Sequence, residues 1–375
     1  MIYFDNAATS YPKPRPVRRA VKSALAEFGG NPGRGGHRLA LAAADMVYDC
    51  RLAIADFFGI HEPEQIVFTA GATMALNLAI FTGIRRGMHV LISDREHNAV
   101  LRPIHRLAKE GIIEYDIYPT AGNIPSAIAE RLRPNTGMVI TCHVSNVNGF
   151  TQPISAIGEL CRERGLYFIV DAAQSAGHVP IRLSAIPCDA FCAPAHKGLL
   201  GIAGCGFLFL RGGNGLPPFL AGGSGVDSLS LDMPDVLPER YEAGTLPTVA
   251  IAALRAGINL LTDRGLDETA HRESTLRRRI LEGLSVVPGI RLYEPECENG
   301  PLTFTHATIP PERLARLLDE CGICVRAGYH CAPLAHRTLG TPSGGSVRIS
   351  LGYGNRSSEG EKFLRAISSV IGQEG

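Results

Sequence analysis

The chain contains no tryptophan, only 6% aromatic residues, no excess of charge of either sign, and no apolar run near the roughly 18 residues a membrane-spanning helix needs. Each absence excludes something. Lys plus Arg number 37 against 36 Asp plus Glu, a formal net charge of +1, so no global field steers a polyanion and neither nucleic acid nor a membrane surface is an expected partner. The opening Met1-Ile2-Tyr3-Phe4-Asp5-Asn6 lacks a basic stretch followed by an apolar one, so a cytoplasmic protein is expected. The 42 glycines follow no three-residue period, heptads and internal repeats are missing, and 45% hydrophobic content argues against wholesale disorder. The ten cysteines are irregularly spread, which favours reduced thiols over a disulfide framework. Cys321-Gly322-Ile323-Cys324 has no second pair and no histidines at zinc spacing, so no metal is expected. Cys321 should end a helix there and Cys324 should point into the core. Gly29-Gly30 and Gly222-Gly223 do not have the spacing of a dinucleotide-binding turn.

At 375 residues the chain exceeds one ordinary core, so two structural domains or one large α/β domain with an appendage is expected. Helical periodicity marks 16–28 and 39–58, separated by a glycine-rich loop. Short β-branched runs at 66–68, 90–92, 138–140 and 168–170 then alternate with helical stretches, the pattern of βα units around a mainly parallel sheet. Residues 206–210 read as an antiparallel return, and 211–242, rich in Gly, Pro, Ser and Asp, as a long loop of the kind that usually carries function. Helices are predicted near 248–262, 268–284 and 311–320, and strands at 289–293, 302–307, 323–326 and 346–351. A last helix opens on a Ser358-x-x-Glu361 capping box.

Four local settings suggest chemistry. Lys197 follows an apolar strand and precedes a glycine-rich turn, where an amine is partly desolvated and its pKa falls. Asp171 closes the strand Tyr167-Phe168-Ile169-Val170, at the edge where open α/β sheets bind ligands, and an acid there can keep a heteroaromatic nitrogen protonated. A helix N-cap is the equally available structural role for Asp171. The joint Thr69-Ala70-Gly71-Ala72-Thr73 offers free N–H groups, a helix dipole and a hydroxyl to a phosphate. His97 follows a strand and could lie over a cofactor ring.

In order along the chain, this phosphate turn, His97, Asn146, Asp171, Gln174 and His196-Lys197 resemble the class V aminotransferase family of fold-type I pyridoxal-phosphate enzymes. Within it the closest likeness is to the cysteine desulfurase and selenocysteine lyase group, the NifS-like proteins. Tyr3-Phe4-Asp5-Asn6-Ala7-Ala8-Thr9, Arg34-Gly35-Gly36-His37 and the loop Arg326-Ala327-Gly328-Tyr329-His330-Cys331-Ala332 look like that group too. The resemblance implies an α/β fold: a large domain (15–255) with a mainly parallel seven-stranded-type sheet, and a small α+β domain (1–14 and 256–375) carrying the cysteine loop.

It also implies site roles. Lys197 would hold pyridoxal 5'-phosphate. Ala72, Thr73 and His196 would bind its phosphate, Asp171 its ring nitrogen and Gln174 its ring oxygen, with His97 covering the ring face and moving a proton with Lys197. Arg348 and Asn146 would hold the carboxylate of L-cysteine, or of L-selenocysteine in a lyase, with Arg326 also on the substrate side. Cys331, with His330 and Arg326 beside it, would take the sulfur as a persulfide and pass it to an unidentified sulfur-acceptor protein. A transaminase or C–S lyase of the same family is the further alternative. Glu242-Ala243-Gly244-Thr245 matches a segment that relatives lend to the partner's phosphate site, so Thr245 and a homodimer are expected. One departure stands out: Pro194-Ala195 replaces the small hydroxyl residue usual before the lysine.

Overall fold

In a computed structural model, every residue except Arg34, Asn214 and Gly375 is described. Arg34, part of the expected glycine loop, therefore lies outside the described residues. The chain runs β1 (Ile2–Tyr3), α1 (Arg15–Glu27), α2 (Arg38–Phe58), β2 (Ile66–Thr69), α3 (Ala72–Gly83), β3 (Met88–Ser93), α4 (Asn98–Lys109), β4 (Ile113–Tyr118), α5 (Ile124–Ala129), β5 (Thr136–Cys142), α6 (Ile154–Arg164), β6 (Tyr167–Asp171), β7 (Ala190–Pro194) and β8 (Gly206–Leu210). It continues with α7 (Thr248–Arg264), α8 (Leu266–Ser285), β9 (Ile290–Leu292), β10 (Leu302–His306), α9 (Pro311–Glu320), β11 (Ile323–Cys324), β12 (Arg326–Gly328), α10 (Pro333–Leu339), β13 (Ser346–Ile349) and α11 (Ser357–Glu374).

Seven strands form the large sheet in the order β2-β8-β7-β6-β5-β3-β4. Its central strands are apolar on both faces because helices cover both: Val90, Leu91, Ile92, Met138, Val139, Ile140, Phe168, Ile169 and Val170 are all fully buried. β8 runs antiparallel to both β7 and β2, as the sequence suggests, while β3 to β7 pair in parallel. Register matters for the site. Cys142 of β5 lies opposite Asp171 of β6, and both end at the same sheet edge. β4 is a strand that buried-run reading does not find. At the sheet edge it buries Ile113 and Tyr118 but exposes Glu114, so it has no continuous apolar run.

A second sheet, β12-β13-β10-β9, is antiparallel throughout. Its core joins Phe304 and Val347 to Leu276 and Ile280 of α8, Leu314 of α9, Phe363 of α11 and, from the chain start, Phe4. Two expectations change here. The predicted strand 323–326 is split: β11 pairs in parallel with β1, and β12 joins β13. Because β1 and β11 make only a short two-stranded ribbon, Cys324 is half-buried rather than a core residue, whereas Cys321 does cap α9 and is exposed. The cap of α11 also shifts. Glu359, not Glu361, accepts from the Arg356 N–H at 2.9 Å, and the helix starts at Ser357.

The position 255 expected to end the large unit falls inside α7, whose Ile251, Leu254, Ile258 and Leu261 all pack into the core of the large sheet. α7 also supports the segment after Lys197. A Cβ on Gly257 would lie 2.1 Å from the carbonyl oxygen of Leu199, so only a glycine permits this approach. Gly257→Ala should cost about 1–3 kcal/mol by overpacking, although alanine is the better helix former. An unchanged melting temperature would show that the Leu199 turn can move freely.

Candidate active site

The ends of β2, β5, β6 and β7 converge on a cavity of about 580 Å3. Lining it are Ala72, Thr73, His97, Asn146, Asp171, Gln174, His196 and Lys197, eight of the expected site residues, brought together from segments far apart in sequence. This is the carboxyl edge of the parallel strands, where the chain must turn into helices and side chains can face an open crevice.

Burial sets the charge states. Desolvation pulls the Lys197 amine down to about 8, against the counteracting pull of Asp171. Desolvation likewise raises Asp171, while the Ala173 N–H donated to its Oδ1 at 2.8 Å stabilises the ionised form. His97 is held at about 4 by burial and by nearby Lys197. Its Nδ1 accepts the Ala99 N–H at 3.0 Å as the cap of α4, which puts the ring proton on Nε2. His196 is neutral too, at about 4 by burial, and its Nδ1 is buried without a partner among the described residues. Its carbonyl is heavily used: Thr9 Oγ1, Ser10 N–H, Ser10 Oγ and Lys13 Nζ all donate to it within 3.1 Å, fixing the peptide just before Lys197.

On the cavity's phosphate-type end, the first N–H groups of α3 lack intrahelical partners, and Gly71 takes a φ of 147° to start the helix. Pro194 forms part of the same wall and brings no hydroxyl, so the polar donors here are Thr73, the helix N–H groups and the unpartnered His196 ring. Gln174 donates to the carbonyl of Ala7 at 2.9 Å. Thr245 does not line the cavity and instead meets Asn31 at 3.2 Å.

The cysteine loop lies beyond the cavity lining, against the same elements. Asn98 N–H donates to the Cys331 carbonyl at 2.8 Å, and Asn146 Nδ2 to the His330 carbonyl at 2.7 Å. His330 and Cys331 both take left-handed backbone angles, with φ of 49° and 58°. The Cys331 thiol is exposed, with Arg326 Nη2 4.0 Å from its sulfur. Arg348 is buried, donating to the Asn146 carbonyl at 2.9 Å and to Asp5 at 2.7 Å.

Sequence reasoning missed several residues of this region. Glu96 is fully buried, accepts the Cys142 N–H at 2.8 Å and is pushed up to about 8 by desolvation. Cys142 lines the cavity wall, a position readable from its strand end opposite Asp171. Lys13 is lowered to about 8 by burial, with no local motif to mark it.

The model of the class V aminotransferases matches residues 2–363. The chain belongs to that family. A protein of Methanothermobacter thermautotrophicus described as a probable cysteine desulfurase is 32% identical, the match covering 99% of this chain and 95% of the relative. A probable cysteine desulfurase of Synechocystis is 30% identical over 99% and 91%. Among solved structures, the apo cysteine desulfurase of Thermococcus onnurineus superposes with a TM-score of 0.92 at 31% identity, over 99% of this chain and 95% of that one. A cysteine desulfurase of Escherichia coli, at 24% identity and a TM-score of 0.89, shares the fold. The α/β architecture of this class V chain is thus that of the fold-type I enzymes.

A partly buried lysine of lowered pKa and a buried acid in the same cavity equip this family member for reaction with an aldehyde. Trapping of pyridoxal on Lys197 by borohydride should therefore rise through a midpoint near pH 8. A midpoint near the ordinary lysine value would show that the amine is solvated.

Proposed function

We propose that this chain is a pyridoxal-phosphate-dependent cysteine desulfurase that converts L-cysteine to L-alanine and keeps the sulfur on Cys331. The observation that carries the reading is the juxtaposition of the Lys197–Asp171 cavity with an exposed thiol on a pinned loop. The residues fit the cofactor: an unpartnered His196 Nδ1, Thr73 and the start of α3 suit a phosphate, and buried Asp171 suits a protonated ring nitrogen. When bound, pyridoxal phosphate supplies an aldehyde for the amines of Lys197 and of the substrate, and an electron sink for the Cα–H bond.

The chain's own groups do the rest. Arg348 and Asn146 orient the α-carboxylate. Lys197, available as a neutral amine near pH 8, moves the Cα proton, and neutral His97 offers Nε2–H to the cavity. The Cys331 thiolate, with Arg326 beside it, attacks the substrate sulfur. One S–S bond forms and the C–S bond breaks with its electron pair left on Cβ; Cβ takes the proton given up by the Cys331 thiol, the Cα proton returns to Cα, and alanine leaves. Relatives described as cysteine desulfurases at 30–32% identity over nearly the whole chain support this activity.

A homodimer completes the site in this reading. Thr245 does not line its own cavity, and α2 together with the loop between β8 and α7 exposes Leu41, Tyr48, Leu52, Leu229 and Leu231, an apolar surface suited to a second copy. A cytoplasmic location accords with ten free cysteines and a mechanism that needs a reduced thiol. The sulfur then passes to an acceptor protein at the exposed loop.

Cys331→Ala should abolish sulfide release from cysteine while leaving the visible absorption of the bound cofactor. Lys197→Ala should lose both. Sulfide release undiminished in Cys331→Ala would refute the desulfurase mechanism and favour direct C–S cleavage. Sedimentation of the wild type should show a dimer, and a monomer that still binds the cofactor at full affinity would remove Thr245 from the site.

A further inference from the structure

Arg348 is 1% exposed, yet the chain has surrounded it unevenly. One Nη donates to the Asn146 carbonyl, and the other meets the Asp5 carboxylate at 2.7 Å, the one ion pair of Arg348 among the described residues. Nε is buried and has no partner among the described residues. The guanidinium thus keeps donor capacity unused while its positive charge is already offset.

Asp5 is brought there by a segment with other duties. It bridges to Ser350, the neighbouring Ala7 carbonyl accepts from Gln174, and Thr9, Ser10 and Lys13 hold the His196 carbonyl. The Asp5 side chain is 20% exposed and can be screened and displaced from one side, whereas Arg348 cannot leave.

We infer that Asp5 sets substrate affinity: it is a resident carboxylate that competes with the carboxylate of the incoming amino acid for the charge of Arg348 and so gives a weak hold on substrate. The inference rests on the proposal that Arg348 receives that carboxylate. An ion pair this close, in a partly desolvated setting, neutralises much of the attraction a second anion would feel. Asparagine in its place retains an acceptor for the Arg348 N–H but removes the competing charge. Tighter binding of this kind lowers KM without raising kcat. The link also reaches the nucleophile, because the same Asn146 that accepts from Arg348 holds the His330 carbonyl beside Cys331.

Asp5→Asn should lower the KM for L-cysteine about fivefold or more at low ionic strength, with kcat within about twofold of the wild type, the difference shrinking as salt screens the site. Asp5→Glu, which keeps the charge, should retain the wild-type KM. In cofactor-free protein, formate should bind Asp5→Asn about fivefold or more tightly than the wild type by calorimetry. Asp5→Ser, smaller and also neutral, should shift in the same direction. A KM unchanged or raised in both neutral variants, with the cofactor band intact, overturns the inference, as does failure of both to fold. Absence of cysteine-dependent sulfide release in the wild type would instead refute the desulfurase reading, and the formate titration would still decide the role of Asp5.

Discussion

An ammonium and a carboxylate withdrawn together from water set the terms for the rest of this molecule. Asp171 is buried and Lys197 partly buried at the end of the central sheet, and desolvation moves the pKa of each toward its neutral form. Such a pair is tolerated only where the surroundings are rigid and fully organised, since an unpaired buried charge is costly. The parallel strands provide that rigidity. Their apolar runs are covered on both faces, so their carboxyl ends form a fixed edge onto which Asp171, Cys142 and the turn before Lys197 project. α7 backs the turn after Lys197 through the close approach at Gly257.

The first thirteen residues act as a strap across this arrangement. Phe4 is anchored in the small core, Asp5 meets Arg348, Ala7 meets Gln174, and Thr9, Ser10 and Lys13 converge on the carbonyl of His196. A single short segment thereby couples the small sheet to Arg348 and to the peptide before Lys197. From the other side, Asn98 and Asn146 hold the backbone on either side of the Cys331 thiol. Cys331 is exposed, but its main chain is anchored to the helix that His97 caps.

Much of this was legible in the sequence because it has a local signature. The βα alternation, the antiparallel return at 206–210, and the settings of Asp171, Lys197 and the start of α3 can all be read from short windows, and their order pointed to the family. What could not be read depends on distant partners. β4 hides its strand character in an alternating edge pattern, and the 323–326 stretch divides because two different sheets compete for it. Glu96 and Lys13 gain their significance from a strand end and a carbonyl contributed by other parts of the chain. Asp5 looks like one residue of an N-terminal motif until Arg348, 343 positions later, is seen against it.

The proposed chemistry assigns two tasks to two parts of the molecule. In the proposed reading the cavity at the carboxyl edge of the sheet would manage the amino group and the Cα proton, while the exposed Cys331 would receive the sulfur where a partner can reach it. Six of the ten cysteines are fully buried, and the pKa of each rises through desolvation, which makes them poor nucleophiles. Peptide mapping of the holoenzyme after treatment with L-cysteine, without reductant, tests this division most directly. An added sulfur on the peptide of Cys331 alone is the predicted result. Sulfur on Cys142 or another buried cysteine, or on none, would contradict it.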